Sequence, residues 1–315
     1  MEGRLKRFLS PRIGRIEKIT PLPGGIWNDS FLIAGEKRFV AKVFSARLPL
    51  ALYRNSGWIE WRTLRLLEPL GIAPKPVLFA PRSEFPAGQL LVYEYAEGRT
   101  GRLKGRFLEL AARAIAGFHS IHPARRTRFV SLGDDSIPAI HAAIKARMKR
   151  LENKMPGNED LARFKKSFAL LPATASPAYS PCLLHTDLVP SNFIQGKKLV
   201  LIDWQSPRFG DAAFDVWAFC SDAFTLWDLK QGMSKGEKRA FLRAYLGRCR
   251  DATLPARLRA KAPLFALNVG LYYLERFTDF KNGRLPRKIT RGKEKLFQRY
   301  EKVKNACLRE LEKTI

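Results

Sequence analysis

The spacing of apolar side chains differs between the first hundred residues and the rest of the chain. Residues 38–44, RFVAKVF, have alternating faces and predict a β-strand. Lys42 shares its face of that strand with Val40 and Phe44, so it lies among apolar neighbours. A lysine buried in this way needs a partner, which makes Lys42 a candidate functional residue.

Helical spacing dominates after about residue 100. One helix is predicted earlier, where Glu60, Leu64 and Leu67 recur at helical spacing and Gly71 ends the stripe. Seven later helices are predicted, at Phe107 to Phe118, Ile137 to Lys154, Glu159 to Leu171, Ala212 to Phe224, Lys235 to Cys249, Ala256 to Phe280 and Arg291 to Glu312. The chain therefore has a strand-rich beginning and a largely helical remainder.

The composition is that of a globular protein with room for two lobes. The chain has 315 residues and is 46% hydrophobic, enough for a sizeable core. No apolar run reaches the length that spans a bilayer, and the basic N-terminus lacks the apolar region of a signal peptide. The four cysteines are scattered without a C-x-x-C pair, which is typical of reduced thiols. We therefore expect a cytoplasmic protein with no membrane span. The sequence does not specify how many copies of the chain associate.

Residues 183–215 carry three polar motifs in a fixed order. The motifs are His185-Thr186-Asp187 with Asn192, then Ile202-Asp203-Trp204, then Gly210-Asp211 with Asp215. A loop carboxylate can orient and deprotonate an attacking hydroxyl, while an amide and a second carboxylate supply the oxygen ligands that Mg²⁺ prefers. The spacing H-x-D-x-x-x-x-N is that of a kinase catalytic loop. The stretch therefore predicts phosphoryl transfer; the alternative is a turn, its cap and a carboxylate at a strand end.

The three motifs resemble those of the aminoglycoside phosphotransferase and choline kinase superfamily, the small-molecule branch of the protein-kinase-like fold. The resemblance covers about residues 20–280. It implies an α+β, bilobal fold. Residues 1–95 would form an N-lobe with an antiparallel β-sheet and one main helix, and residues 96–315 a larger, mostly helical C-lobe.

The same resemblance implies a set of site residues and cofactors. The cofactors would be ATP and Mg²⁺. Asp187 would be the catalytic base, with Asn192 and Asp203 holding the metal. His185 is expected to pack and form hydrogen bonds rather than act as the base. Asp215 would be structural, accepting hydrogen bonds from the backbone around His185.

An upstream loop also matches the superfamily. Gly24 and Gly25, followed by Asn28, resemble the short G-x-x-N-x-x-F loop of the small-molecule branch. Glycine lets the backbone turn tightly and approach an anion closely, so this loop would cover the nucleotide phosphates. The alternative for the two glycines is an ordinary hairpin turn.

The resemblance also implies partners for the remaining nucleotide groups. Lys42 would contact the α- and β-phosphates, with Glu60 as its ion-pair partner. Glu60 could instead be a solvated helix charge, and Glu68 is a rival partner near the helix end. A predicted strand from residue 90 runs into the segment that would be the hinge. Three residues there would lie near the adenine base: Glu94, Tyr95 and Ala96.

Several departures from the protein-kinase motifs argue against a protein acceptor. Thr186 stands where many protein kinases have an arginine that binds activation-loop phosphate, and Trp204-Gln205 replaces Phe-Gly. Only seven residues separate Asp203 from Asp211, which leaves no room for an activation loop. A small-molecule or nucleic-acid hydroxyl is therefore the more natural acceptor. The resemblance implies a small molecule of the aminoglycoside, choline, thiamine or sugar type.

Acidic and aromatic side chains in the helical part could form a wall for a cationic acceptor. The set is Trp217, Asp222, Trp227, Tyr272, Tyr273, Glu275 and Asp279. The alternative is that these aromatic residues, at helical spacing, belong to the core. The overall positive charge also weighs against a cationic acceptor.

The net charge is +28, from 57 basic and 29 acidic residues. The excess is densest from Lys281 to Lys304, where ten basic residues accompany two acidic ones. A field of that sign attracts polyanions, of which RNA is the simplest example, although a solvated basic surface is the alternative. Two other functions follow: an RNA-directed kinase, or a pseudokinase that binds nucleic acid. The intact set of catalytic residues counts against the pseudokinase.

Overall fold

The structure is a computed structural model that describes most of the chain. The described residues are 1–23, 28–44, 56–100, 103–171, 175–285 and 294–314, without the side chain of Leu296. The predicted phosphate-covering glycines, Gly24 and Gly25, lie outside these residues.

Eleven strands and ten α-helices lie in the described part of the chain. The strands are β1 (Ile16–Leu22), β2 (Asp29–Gly35), β3 (Arg38–Phe44), β4 (Pro76–Ala80), β5 (Gln89–Glu94), β6 (Arg99–Thr100), β7 (Ser131–Leu132), β8 (Cys182–Leu184), β9 (Phe193–Gln195), β10 (Leu199–Leu201) and β11 (Arg208–Gly210). The helices are α1 (Glu2–Ile13), α2 (Gly57–Leu67), α3 (Arg106–His119), α4 (Ile137–Lys154), α5 (Glu159–Leu170), α6 (Ala213–Cys220), α7 (Asp222–Thr225), α8 (Lys235–Cys249), α9 (Leu254–Lys281) and α10 (Glu294–Glu312).

Two predicted helices need correction. The helix predicted to open at Glu60 begins at Gly57, because the Ser56 side chain caps it by accepting a hydrogen bond from the Ile59 N–H. The single helix predicted over 212–224 is two helices, α6 and α7. Ser221 has extended backbone at the break, and its hydroxyl accepts the Ala223 N–H to cap α7.

The chain divides into two units. The first comprises Met1–Thr100 and Asn192–Pro207, and the second comprises Gly101–Ser191 and Arg208–Ile315. The returning segment joins the first unit through strand pairing, since β9 pairs with both β10 and β6.

In the first unit, a five-stranded antiparallel sheet has the order β1-β2-β3-β5-β4. The two faces of β3 have different partners, as its alternating pattern predicts. Ala41 and Val43 pack in a core with Leu5 and Leu9 of α1. On the other face, α2 lies close to Phe44, since a Cβ added at Gly57 would be 2.8 Å from the Phe44 ring. Lys42 therefore points towards α2.

In the second unit, the longest helix of the described residues is α9, with 28 residues. This helix packs against α4, α5, α6 and α10, while α3 packs against α8. A small sheet, β7-β11-β8, lies beside them. The α+β prediction, with an antiparallel N-terminal sheet and a helical C-terminal part, is confirmed. No helix among the described residues is both long and apolar enough to cross a membrane.

Candidate active site

Lys42 lies between two carboxylates in the first unit. Its Nζ is 2.8 Å from Glu60 Oε2 and 2.6 Å from Asp203 Oδ1. The Lys42 and Glu60 side chains are 6% and 1% exposed, whereas Asp203 is 31% exposed. The expected ion pair between Lys42 and Glu60 is present. Asp203 is its third, more accessible member.

The protonation of this group is set by burial and charge together. Burial by itself lowers the pKa of Lys42, but the carboxylates of Asp203 and Glu60 outweigh it, and the net shift is upward. Burial raises the pKa of Glu60, with the Lys42 ammonium opposing that rise. Lys42 is therefore held as a buried cation between two carboxylates.

The hairpin of β9 and β10 brings Asn192 close to Asp203 along the backbone. The Ile202 N–H donates to the Asn192 carbonyl at 2.9 Å, directly before Asp203. Asp203 has a φ of 68°, in the left-handed region that non-glycine residues rarely adopt. The buried Trp204 indole donates to the Leu201 carbonyl at 3.0 Å and anchors the turn. Sequence spacing could not reveal this backbone strain.

The oxygen donors here fit Mg²⁺. Asn192 offers an amide oxygen and Asp203 a carboxylate, and Mg²⁺ is commonly bound by one or two such groups together with phosphates and water. Within the described ranges, no group of three or more His, Cys, Asp or Glu side chains could hold a metal ion.

Asn28 is buried, and its Nδ2 donates to Gln205 Oε1 at 2.9 Å. Gln205 follows Asp203 by two residues, so Asn28 is tied to the segment that carries the candidate metal ligand. No sequence signal singled out Gln205.

The predicted hinge residues lie at the end of β5. The Glu94 N–H donates to the Lys75 carbonyl at 2.9 Å, and the Tyr95 N–H donates to the Arg38 carbonyl at 3.0 Å. These two N–H groups therefore already donate hydrogen bonds to backbone carbonyls of the protein. Tyr95 and Ala96 are half-buried, while Glu94 is exposed.

The predicted catalytic loop lies in the second unit, directly after β8. Asp215 accepts the His185 N–H at 2.7 Å and the Thr186 N–H at 3.0 Å, as the resemblance predicts. Thr186 has a φ of 71°, unusual for a β-branched residue, so these two hydrogen bonds hold a strained backbone. The Asp187 N–H lies 3.3 Å from His185 Nδ1. Asp187 is half-buried and His185 is buried, which suits a carboxylate base and a packing histidine.

Asp215 also contacts a buried residue pair, His119 and Tyr245, that the sequence did not indicate. His119 Nε2 lies 3.3 Å from Asp215 Oδ2, and its Nδ1 lies 2.7 Å from the Tyr245 hydroxyl. A carboxylate only accepts, so Nε2 carries a proton, and in the neutral imidazole Nδ1 then accepts from the phenol. Burial raises the pKa of Tyr245, which keeps that phenol protonated. The pair thus orients Asp215.

Asp211 has two basic partners that were also missed. Its carboxylate accepts from Arg257 Nε at 3.0 Å and from Lys261 Nζ at 2.7 Å. Its backbone N–H donates to Asp135 Oδ2 at 2.8 Å. All four side chains are buried. The basic partners come about fifty residues later in the chain, so no local motif could reveal them.

The expected acceptor wall is divided between several environments. Trp217 is buried among aromatic rings that include Phe214 and Phe265, so it belongs to the core. Asp222 pairs with Lys238 at 3.5 Å. The Tyr273 ring contacts the rings of Trp227 and Tyr272. Glu275 and Asp279 both pair with Lys154.

Comparison with known sequences identifies one family. A model of the phosphotransferase enzyme family, APH, matches residues 18–260. That range includes Lys42, Glu60, Asp187, Asn192 and Asp203. Comparison with curated proteins finds no significant match.

Solved structures with the same fold span almost the whole chain. The choline kinase LicA from Streptococcus pneumoniae is 20% identical, covers 98% of both chains and has a TM-score of 0.66. A spectinomycin phosphotransferase, solved with ADP and spectinomycin, is 13% identical, with 99% of this chain and 98% of that chain covered and a TM-score of 0.70. An ethanolamine kinase from Plasmodium vivax is 15% identical, with 98% and 89% covered and a TM-score of 0.66. At these identities the likeness shows the fold.

Proposed function

The chain belongs to the phosphotransferase enzyme family and is a kinase, and from that premise we propose that it transfers the γ-phosphate of ATP, with Mg²⁺, to a hydroxyl of a small-molecule acceptor. The observation that carries the proposal is the buried Lys42 cation between Glu60 and Asp203. Similar structures include kinases named for choline, ethanolamine and spectinomycin, so the acceptor would be of that size.

Residues of the first unit would bind the nucleotide. The Lys42 ammonium would donate to phosphate oxygens, while Glu60 keeps it charged and aimed. Asn192 and Asp203 would hold Mg²⁺, which when bound neutralises charge on the transferring phosphate. Gly24, Gly25 and Asn28 would cover the phosphates, and the hinge carbonyls with Ala96 would face the base.

Asp187 in the second unit would act as the base. The acceptor oxygen bonds to the γ-phosphorus, the bond from that phosphorus to the bridging oxygen of ADP breaks, and the hydroxyl proton passes to Asp187. The backbone of this loop is held through Asp215, so the carboxylate has a defined direction.

The test is ADP formation with a pool of small hydroxylic metabolites. Asp203→Ala should abolish Mg²⁺-dependent turnover, and Asp187→Asn should lower kcat by roughly 10²–10⁴-fold. Asp134→Asn is the control, because Asp134 is an exposed loop aspartate of the second unit. A folded Asp203→Ala protein with unchanged turnover would overturn the proposal.

A second candidate, an RNA-directed kinase, is favoured by the net charge of +28. In the described part of 281–304, some basic groups already have partners within the protein: Arg299 with Asp228, Lys304 with Asp160, and Lys302 with the Leu229 carbonyl. These pairs reduce the charge that the segment offers to a polyanion, which is why the small-molecule acceptor stands first.

Binding of labelled single-stranded RNA, measured by fluorescence anisotropy, tests this second candidate. Affinity should fall with salt with a log-log slope of about −0.7 per phosphate contact. Reversal of Arg287, Lys288 and Arg291 to Glu, at positions outside the described residues, should weaken binding and spare ATP. Reversal of the exposed Arg4, Lys6 and Arg7 of α1 changes the net charge equally and is the control. No RNA affinity at low salt would remove this candidate.

A further inference from the structure

An aromatic cluster lies beside the catalytic loop of the second unit. The cluster is Trp227, Tyr273 and Tyr300, with ring centroids 5.4–6.0 Å apart. Trp227 and Tyr273 are half-buried, whereas Tyr300 is only 2% exposed. The two half-buried rings therefore present apolar surface that a ligand could cover.

A hydrogen bond ties this cluster to the loop. Asp228, next to Trp227, accepts the Ser191 N–H at 2.7 Å, and Ser191 is four residues after Asp187. Burial raises the pKa of Tyr300; Arg276 opposes that rise, and the Asp187 carboxylate adds to it. The charges of Arg276 and of the proposed base thus both influence the Tyr300 hydroxyl.

The charges near the cluster are balanced. Lys154 Nζ lies 3.3 Å from Glu275 and 2.6 Å from Asp279, and Arg276 Nη2 lies 3.5 Å from each of the same carboxylates. Two carboxylates thus meet two cations. The carboxylates of the expected wall are therefore already neutralised, and a cationic acceptor would find no net attraction there.

The cation positions over nearby rings are also taken. Arg299 Cζ lies 5.7 Å from the Trp227 centroid, and Arg276 and Arg147 lie 5.7 and 5.9 Å from the Tyr272 centroid. A quaternary or primary ammonium at these rings would be repelled by the guanidinium charges already there, whereas an uncharged carbon skeleton would not.

Arg276 also has an unused donor. It is 9% exposed, and its Nε–H has no hydrogen-bond partner among the described residues. A buried N–H without an acceptor is costly, so the site favours a ligand that supplies an oxygen. An anionic ligand would meet the neighbouring carboxylates of Glu275 and Asp279, whereas a hydroxyl oxygen carries no such repulsion.

Resting on the proposed function, we propose that Arg276 is a specificity-determining residue and that the acceptor is an uncharged sugar or polyol. Its Nε–H donates to an acceptor hydroxyl, and Trp227 and Tyr273 pack against the C–H face of the carbon skeleton. A second hydroxyl of the same molecule receives the phosphoryl group and gives its proton to Asp187.

The experiment is a kinetic comparison of acceptor classes with Mg²⁺ and ATP. The panel contains neutral sugars and polyols, choline, ethanolamine, an aminoglycoside, and sugar acids. A neutral sugar or polyol should have the highest kcat/KM. Arg276→Lys keeps the charge beside Glu275 and Asp279 but loses Nε–H and the planar fork, so the acceptor KM should rise about tenfold while the KM for ATP stays unchanged. Arg259→Lys, exposed on the same helix, is the control.

Because Arg276 is buried, Trp227→Leu provides a second variant, and it should also raise only the acceptor KM. A cationic or anionic acceptor with the highest kcat/KM would overturn this inference but leave the proposed function standing. The inference would also be overturned if Arg276→Lys and Trp227→Leu both left the acceptor KM unchanged. It would likewise be overturned if the protein bound ATP but phosphorylated nothing in the panel. A wild-type protein that does not bind ATP would overturn both.

Discussion

The buried Lys42–Glu60 pair shows how one residue can couple stability to function. Taking two charges out of water costs several kcal/mol for each ion, and only close pairing repays it. Asp203 reaches the same ammonium from a more exposed position. A nucleotide phosphate could therefore compete with Asp203 for Lys42 without disturbing the buried pair with Glu60.

Lys42→Met should destabilise the protein by roughly 3–5 kcal/mol at neutral pH, because it leaves Glu60 buried without its cation. Burial already raises the pKa of Glu60. A carboxyl with a raised folded-state pKa contributes most below its unfolded pKa, and stability falls as pH rises through the folded pKa. The variant should therefore be closer to wild type at pH 5 than at pH 8 in urea unfolding.

Two controls accompany this comparison. Lys18→Met, at an exposed position of the same sheet, should change little at either pH. Glu60→Gln removes the buried anion and should show no such pH dependence. A Lys42→Met loss that is equal at both pH values would contradict an unpaired Glu60 as the cause.

Tyr245 is linked to the predicted catalytic loop through His119 and Asp215, whose carboxylate accepts the His185 N–H. Tyr245→Phe keeps the ring but leaves His119 Nδ1 without its donor, which should cost roughly 1–3 kcal/mol. The melting temperature should fall, and kcat should fall with an unchanged KM for ATP. If neither the melting temperature nor kcat changes, the Tyr245 hydroxyl does not help to orient Asp215.

At the scale of elements, the long helix α9 depends on one small residue for its close packing. A Cβ added at Gly270 would lie 2.5 Å from Phe164 of α5 and 2.9 Å from the Cys307 Cβ of α10. Glycine at this position lets three helices approach closely, although a glycine in a helix interior has a conformational cost.

Gly270→Ala should therefore destabilise the protein by about 1–3 kcal/mol through overpacking, despite the better helix propensity of alanine. Gly247→Ala in α8 is the matched control, since a Cβ added there would have nothing within 4 Å and the site is exposed. The control should gain up to about 1 kcal/mol. Thermal unfolding of both variants gives the comparison; a stabilised Gly270→Ala would contradict the close packing.

At the scale of the whole molecule, the net charge of +28 opposes folding through self-repulsion. The 57 basic residues outnumber the 29 acidic ones almost two to one, so many cations have no acid to pair with. Exposed pairs such as Arg38–Glu97 contribute little, about 0–1 kcal/mol each. Repulsion should therefore outweigh attraction at the surface.

Raising NaCl from 10 to 200 mM should increase the melting temperature, because the Debye length falls from about 30 Å to below 10 Å and screens the repulsion. Reversal of Arg4, Lys6 and Arg7 to Glu lowers the net charge and should reduce this salt effect. A melting temperature that falls with added salt would mean that surface ion pairs contribute more than the repulsion.

The sequence by itself determined the fold class and the candidate catalytic and ligand-binding residues. Local periodicity predicted β3 and most helices because side-chain burial repeats every two or about 3.6 residues. The spacing of Asp187, Asn192 and Asp203 indicated a phosphotransferase, and the family match supports that class. Burial of Lys42 followed from its apolar strand face and required a partner, and the resemblance implied that this partner is Glu60 in the next helix.

Tertiary structure alone decided which distant groups complete those motifs. His119 and Tyr245 reach Asp215 from other helices, and Arg257 and Lys261 reach Asp211 from α9. No local pattern marks these residues, because a hydrogen bond depends on positions in space that only the packed helices define. The charge balance around Arg276 has the same origin. From the sequence, Glu275 and Asp279 could have bound a cationic acceptor, but Lys154 of α4 pairs with both carboxylates.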